Sequence, residues 1–153
     1  VSFISEEGAS LEAITDGFRP GAEKFGMEAD IYPDGQRMKT LLMVSRFGHC
    51  LNDLLYRWKI GALPIDIVGV VSNHETMRKT AEWHGLAYHH LPMGEGKEAQ
   101  EARFLSIIEE SGAELTVLAR YMQILSDGFS EALAGRCINI HHSFLPSFNR
   151  RPR

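Results

Sequence analysis

Asn139 and His141 lie two residues apart at the end of an apolar run that begins at Cys137. In a β-strand, residues two apart point to the same face. An amide and an imidazole on one face can act together on a carbonyl group, the amide stabilising an oxyanion and the imidazole serving as acid or base. A satisfied polar network at a strand end accounts for the same pair equally well. The spacing alone leaves both interpretations open.

The elements that would position this pair alternate from Lys39 onward between apolar runs and helical patterns. This alternation is typical of an α/β fold with a doubly wound parallel sheet. We predict strands at 40–44, 65–71, 87–90, 115–119 and 137–141. We predict helices at about 51–58, 75–83, 97–110 and, capped by Ser126, through 133.

Ligands of such sheets bind beyond the carboxyl ends of the strands. In this sequence those ends are 45–49, 72–74, 120–125 and 139–143. Asn139 and His141 therefore fall where the fold predicts a site.

The first 32 residues behave as a separate unit. Apolar residues keep helical spacing from Leu11 to Phe25, and Met27–Tyr32 alternates weakly like a strand. Pro20 with the glycine after it is expected to kink or split the helix. So short a piece cannot bury a core alone, and residues 33–38 then form a linker.

Composition argues against several classes of function. A net charge of -4 disfavours a nucleic-acid or acidic-lipid surface, and no apolar stretch approaches membrane-spanning length. The two cysteines, Cys50 and Cys137, lie far apart in unlike contexts, so a disulfide scaffold has no support. Each is better explained as a small core residue than as a nucleophile. These features predict a soluble cytoplasmic protein without nucleic-acid or membrane partners.

Metal and phosphate sites also find little support. The doublets His89-His90 and His141-His142 place adjacent residues on opposite strand faces, so neither doublet can supply two ligands to one ion. The stretch after the first strand, 45–52, lacks the glycines that let a backbone wrap a pyrophosphate. We predict no metal site and no dinucleotide site. We interpret His49 as the residue that opens the helix predicted at about 51–58.

The segment from Asn139 to Phe148 resembles the signature of the folate-dependent formyl transferases and hydrolases. Within that family, the segments 44–46, 49–58, 70–74, 83–85 and 118–126 resemble the formyltetrahydrofolate deformylases. An ACT domain precedes the catalytic domain in those proteins. The resemblance implies that residues 1–32 are the second half of an ACT domain and that 39–153 are the N-terminal part of a catalytic domain.

The resemblance implies hydrolysis of 10-formyltetrahydrofolate to formate and tetrahydrofolate, which supplies one-carbon units for purine biosynthesis. Asn139 would hydrogen-bond the formyl oxygen, and His141 would stabilise or protonate the tetrahedral oxyanion. Folate is then the substrate, and no cofactor is expected. The residues expected to bind it are Arg120, Tyr121, Met122, Gln123, Ile124, Leu125, His142 and Ser143.

Transferases with this signature hold the phosphate of an amine acceptor in a glycine-rich loop after the first strand. Here that place is taken by Arg46-Phe47-Gly48-His49-Cys50, which leaves water as the nucleophile. Two alternatives stay open: formyl transfer to an amine, and a non-catalytic module that binds folate or an amino acid. The resemblance also suggests an amino-acid effector of the ACT unit and a homo-oligomer.

The sequence departs from the family after Phe148, where a further loop, more strands and a general-base aspartate are expected. It reads Asn149-Arg150-Arg151-Pro152-Arg153 instead. Without the base, water activation should lose a factor of about a hundred to ten thousand. We therefore expect this chain by itself to be inactive or barely active, with an exposed edge strand.

Overall fold

The computed structural model describes residues 8–33 and 35–140. It divides into two compact units, Val1–Gln36 and Arg37–Arg153. In the first unit, helix α1 spans Leu11–Phe25. The Ser10 side chain accepts a hydrogen bond from the backbone N–H of Ala13 at 3.2 Å, and Gly26 ends the helix with a left-handed φ of 61°. The predicted helix is confirmed, including its two ends.

Pro20 does not split α1, which is continuous across it, so the predicted split is wrong, and the predicted kink stays a prediction. Proline removes one backbone N–H, and the carbonyl of Asp16 thereby loses its partner. Most of α1 is exposed, with Ala22 as its buried residue, so water can hydrogen-bond that carbonyl. The predicted strand at Met27–Tyr32 is also wrong, because these residues form none. A strand needs a hydrogen-bonded partner, and the described part of this unit offers no second strand.

The second unit contains a sheet whose described pairings are all parallel. Its strands are β1 Met38–Val44, β2 Ile65–Ser72, β3 Tyr88–His90, β4 Leu115–Ala119 and β5 Cys137–Ile140. Their order is β3-β2-β1-β4-β5. The chain therefore builds outward from β1 in one direction and then returns to continue on its other side. This confirms the doubly wound α/β fold and places the switch point between β1 and β4.

Helices cover both faces of this sheet. They are α2 His49–Lys59, α3 Arg78–Trp83, α4 Lys97–Ser111 and α5 Asp127–Ala132, with a short 3-10 helix at Met93–Glu95. Leu41 and Met43 of β1 belong to a core cluster with residues of α4 and α5, whereas Leu42 and Val44 belong to a cluster with residues of α2 and α3. Since alternate residues of one strand are buried on opposite faces, β1 reads as a continuous apolar run.

Helix α3 begins three residues later than expected, at Arg78 rather than Glu75. Glu75 lies in the turn before it, where its carboxylate accepts hydrogen bonds from the Arg78 guanidinium at 2.5 and 3.0 Å. The same carboxylate lies 2.8 Å from Nδ1 of His90, at the end of β3. Glu75 therefore links the start of α3 to the neighbouring strand instead of forming part of the helix.

Candidate active site

The carboxyl ends of β2, β1, β4 and β5 lie at one edge of the sheet. Val44 at the end of β1 is aligned with Ser72 of β2 and with Ala119 of β4, and Ala119 is aligned with Ile140 of β5. The segments that follow these strands therefore begin side by side. This is the edge at which doubly wound proteins bind their ligands.

The segments after β1 and β2 are joined by a buried hydrogen bond. The hydroxyl of Ser45 donates to Oδ1 of Asn73 at 2.8 Å, and both residues are buried. The hydroxyl of Ser72 accepts a bond from the backbone N–H of His74 at 3.1 Å. Because buried polar groups are costly when unpaired, these bonds hold the two segments in one arrangement.

Arg120, directly after β4, has an unusual environment. Its φ is 56°, in the left-handed region that residues other than glycine rarely adopt. Its guanidinium carbon lies 4.6 Å from the centre of the Phe47 ring, and that of Arg46 lies 6.0 Å from the same ring. The Nε of Arg120 is buried without a hydrogen-bond partner among the described residues. The loops after β1 and β4 thus meet through one aromatic ring with two cations.

The rest of the 120–125 loop packs towards α4. Tyr121 is buried, with its ring 5.8 Å from that of Phe104 in an edge-to-face arrangement. Burial raises the pKa of Tyr121 to about 12, and the charge of Glu101 adds to this effect. Leu125 is half-buried and packs against the core, whereas the side chains of Met122 and Ile124 are exposed. The loop is therefore anchored by Tyr121 and Leu125 and presents the apolar side chains of Met122 and Ile124 to solvent.

Glu101 of α4 fixes the end of this loop. Its carboxylate accepts a hydrogen bond from the backbone N–H of Ser126 at 2.8 Å and a second one from the Ser126 hydroxyl. That hydroxyl also accepts a bond from the N–H of Phe129 at 3.1 Å and so caps α5, as predicted. Sequence analysis missed Glu101, although a carboxylate three residues before the buried Phe104 on one helix face is a signal that could have found it.

A small cavity of about 30 Å³ lies between this loop and α4. Tyr121, Gln123, Ile124 and Leu125 contribute to its lining, and α4 contributes Glu101 among others. A space of this size holds about one water molecule. In this arrangement a ring system would have to contact the loop from outside or displace it.

Asn139 lies in β5, aligned with Leu118 of β4. Leu118 belongs to the core cluster under α4 and α5, so Asn139 points to the same side of the sheet. Its side chain is exposed and makes no hydrogen bond within the described part of the chain. The polar network that could have explained Asn139 structurally is absent from those residues. His141, His142 and Ser143 lie outside the described residues.

The other candidate residues have structural positions. His49 is the first residue of α2, as interpreted from the sequence. Cys50 and Cys137 are half-buried free thiols, and burial raises the pKa of the Cys137 thiol, which disfavours the reactive thiolate. Within 8–33 and 35–140, no group of three or more histidine, cysteine or acidic side chains is arranged to hold a metal ion. No helix in the same part of the chain is long and apolar enough to cross a membrane.

Comparison with known families identifies the second unit. The family model described as formyl transferase matches residues 38–150, which include all five strands and the edge where they end. The chain belongs to the formyl transferase family. The resemblance found in the sequence is thereby confirmed, and the membership accounts for the doubly wound sheet.

The chain is similar to individual members of the family that share one name. A formyltetrahydrofolate deformylase of Corynebacterium sp. (strain P-1) is 51% identical over 139 residues, which are 90% of this chain and 49% of that protein. A formyltetrahydrofolate deformylase of Bacillus subtilis (strain 168) is 38% identical over 146 residues, or 95% of this chain and 48% of that protein. The chain thus spans about half the length of these curated relatives.

A solved structure agrees with these relatives. The crystal structure of a formyltetrahydrofolate deformylase from Burkholderia mallei ATCC 23344 superposes with a TM-score of 0.81 at 50% sequence identity. The superposition covers 93% of this chain and 51% of that one. The fold of the formyl transferase domain described above is therefore shared with an experimentally determined deformylase.

Proposed function

We propose that the complete protein containing this chain hydrolyses 10-formyltetrahydrofolate to formate and tetrahydrofolate. The observation that carries the proposal is the 51% identity to a protein named formyltetrahydrofolate deformylase, which extends over 90% of this chain. Since the chain corresponds to 49% of that protein, the activity is proposed for the complete protein. Folate is the substrate, and the proposal requires no cofactor.

In this proposal Asn139 hydrogen-bonds the formyl oxygen. The exposed amide in β5, free of hydrogen bonds within the described residues, supports this role because its N–H groups are available to a ligand. Hydrolysis converts the formyl carbon into a tetrahedral centre with negative charge on that oxygen, and a donor held in place stabilises the charge as it develops. His141 is proposed to stabilise or protonate the same oxygen, and His142 and Ser143 to contact the substrate; all three lie outside the described residues.

The 120–125 loop is proposed to bind the pterin ring. Its backbone groups would pair with polar atoms at the edge of the ring, and the exposed apolar side chains of Met122 and Ile124 would pack on its face. The anchoring of Ser126 by Glu101 supports this role, since a loop held at its end can present backbone donors in a constant arrangement. Arg120 and Gln123 complete the proposed substrate-binding set.

The composition of the loop after β1 supports water as the acceptor of the formyl group. A phosphate cradle needs glycines whose backbone N–H groups can surround the anion. In this chain the loop carries Arg46 and Phe47, and the ring of Phe47 lies against the Arg120 guanidinium. An amine acceptor that carries phosphate would therefore lack the usual backbone cradle.

The experiment that tests the proposal measures formate release from 10-formyltetrahydrofolate by the complete protein without any amine. Release in buffer alone is expected; strict dependence on an added amine would make the protein a transferase. Ligand-dependent melting without turnover would favour the binding-module alternative. Residues 1–153 assayed in parallel test the expectation that this chain alone is inactive.

A second experiment tests the role of Asn139. Asn139→Ala should lower kcat by about a hundred- to a thousandfold, because one donor to the oxyanion is lost. Ile138→Thr is the matched control, since Ile138 is the exposed neighbour on the same strand and points to the opposite face. If Asn139→Ala keeps a kcat as high as that of Ile138→Thr, Asn139 does not take part in the mechanism.

Other features remain predictions. They are the supply of one-carbon units for purine biosynthesis, the partial ACT domain at 1–32 with an amino-acid effector, a homo-oligomeric state and a cytoplasmic location. Calorimetric titration of the complete protein with amino acids tests whether an amino-acid effector binds. Sedimentation of the same sample tests the oligomeric state.

A further inference from the structure

Two arginines share one aromatic ring at the switch point of the sheet. The guanidinium carbons of Arg120 and Arg46 lie 4.6 and 6.0 Å from the centre of the Phe47 ring. The ring is 55% exposed, so this group lies at the surface where β1 and β4 end. Each cation gains from the electron-rich face of the ring, but the two cations repel one another. An anion between or beside them would remove that repulsion.

Neither arginine has an acidic partner within the described residues. The ion pairs of arginine there involve Arg19, Arg57 and Arg78, each with a carboxylate within four residues in sequence. Arg46 and Arg120 form none. The two cations at the ligand-binding edge are thus left available to an external anion.

Arg120 carries a second signal, which is independent of its charge. Its Nε is buried and has no hydrogen-bond partner within residues 8–33 and 35–140, although buried donors are nearly always paired. Its φ of 56° makes it the one non-glycine residue in the described part of the chain with a left-handed backbone. Unpaired donors and strained backbones concentrate at ligand sites, where a ligand supplies the missing contact.

The donor geometry of arginine fits a planar oxyanion. A guanidinium presents pairs of parallel N–H groups, which match two oxygens of a carboxylate or of a phosphate. The loop after β1 lacks the glycine-rich pattern whose backbone N–H groups would favour a phosphate, and it carries Phe47 there. Two side-chain cations beside an exposed ring, without that cradle, favour a small planar carboxylate.

We propose that Arg120, assisted by Arg46 across the Phe47 ring, binds a small carboxylate, and that this carboxylate is the formate released in the reaction. The identity of the carboxylate rests on the proposed function. Hydrolysis adds the hydroxyl of water to the formyl carbon, breaks its bond to N10 and places a hydrogen on N10; the formic acid then loses a proton to solvent. The neutral formyl group offers no charge to a guanidinium, whereas formate does, so the site favours the product.

Protection of arginine from chemical modification tests this site without relying on turnover. The complete protein is treated with phenylglyoxal, and modification of each arginine is followed by mass spectrometry of its peptides. Formate should slow the modification of Arg120 at least threefold. Arg103 serves as the internal control, because it is exposed on α4 and forms no ion pair within the described residues. Equal protection by chloride at the same ionic strength would overturn the proposal.

Further arms of the same experiment distinguish sources of the anion. If p-aminobenzoylglutamate protects Arg120 and formate does not, the site binds the glutamate tail of folate and the formate assignment is wrong. If inorganic phosphate protects Arg120 better than formate does, the preference for a carboxylate is wrong.

Kinetics separate this inference from the proposed function. Arg120→Lys keeps the charge but loses the paired donors, so the inhibition constant of formate should rise at least tenfold, while Arg103→Lys leaves it unchanged. An unchanged constant in a folded Arg120→Lys protein contradicts the inference alone. If the wild-type protein releases no formate, the proposed function fails, and the protection experiment still decides whether the carboxylate site exists. If Arg120→Lys fails to fold, the protection experiment on the wild-type protein still tests the carboxylate site.

Discussion

Replacing Glu101 with alanine should destabilise the formyl transferase domain more than any replacement of an exposed glutamate. Glu101 is 8% exposed, and its carboxylate receives both the backbone N–H and the hydroxyl of Ser126. Hydrogen bonds to a charged group contribute about 1.5–3 kcal/mol each, and a buried donor left unpaired is costly. Water can reach part of the space that the side chain vacates. We therefore expect Glu101→Ala to lower the free energy of unfolding by about 2–4 kcal/mol.

A double-mutant cycle isolates this interaction. Ser126→Ala removes the hydroxyl and the cap of α5 but keeps the backbone N–H, so it should cost about 1–2 kcal/mol. Because the side chains of Glu101 and Ser126 share one hydrogen bond, the double variant should be less destabilised than the sum of the single ones, by about 1 kcal/mol or more. Glu109→Gln, at an exposed position of the same helix, is the matched control and should change stability by less than about 0.5 kcal/mol.

Urea denaturation followed by tryptophan fluorescence measures these differences through the shift of the midpoint. If the 120–125 loop binds 10-formyltetrahydrofolate as proposed, Glu101→Ala and Ser126→Ala should raise KM more than they lower kcat, since Glu101 holds the end of that loop. If Glu101→Ala costs no more than Glu109→Gln, or if the effects of Glu101→Ala and Ser126→Ala are simply additive, the contact between Glu101 and Ser126 does not stabilise the domain.

Three other local contacts should also affect the stability of the domain. A Cβ at Gly48 would lie 2.2 Å from Sδ of Met77, but the flexible Met77 side chain can shift, so Gly48→Ala should cost about 1 kcal/mol or less. Adding Met77→Ala should remove most of that penalty, and strictly additive costs in urea denaturation would contradict the contact. Burial raises the pKa of Tyr121 from 10.0 to about 12, so the unfolded chain loses this proton first as pH rises from 10 to 12. Wild-type stability should then fall by roughly 2 kcal/mol more than that of Tyr121→Phe over this range, and parallel pH profiles would count against it. Ser45→Ala leaves Oδ1 of Asn73 without its donor and should cost about 1–3 kcal/mol by chemical denaturation, whereas a cost near zero would mean that water replaces the hydroxyl.

Much of the fold could be predicted from the sequence because the strands of the second unit are buried on both faces. Residues 41–44 are fully buried, so β1 appears as an uninterrupted apolar run, and the same pattern marks β2 and β4. Each predicted strand of this unit corresponds to an observed one, with limits that differ by at most two residues within the described chain. Local sequence signals were enough to predict an element whose boundary depends on its own residues, as at the start of α5, which Ser126 caps.

Predictions failed where local preference competed with context. Pro20 was expected to kink or split α1, but the helix continues across it because an exposed helix tolerates one missing hydrogen bond. Alternation at Met27–Tyr32 suggested a strand, yet pairing depends on a partner that alternation cannot supply. The start of α3 moved from Glu75 to Arg78 because Glu75 binds His90 on a neighbouring strand. Each of these wrong predictions depends on an interaction that the local sequence pattern does not specify.

The sequence by itself determined the fold class, the strand ends at which a ligand would bind and the family, because apolar runs, turn residues and signature motifs are local properties of the chain. Only the tertiary structure decided that Arg120 meets Phe47 and that Glu101 holds Ser126. The first contact exists because β4 pairs with β1, and the second because α4 packs beside the loop that follows β4. Such pairings arise from the packing of the whole sheet, which joins segments distant in sequence and selects among many locally acceptable arrangements.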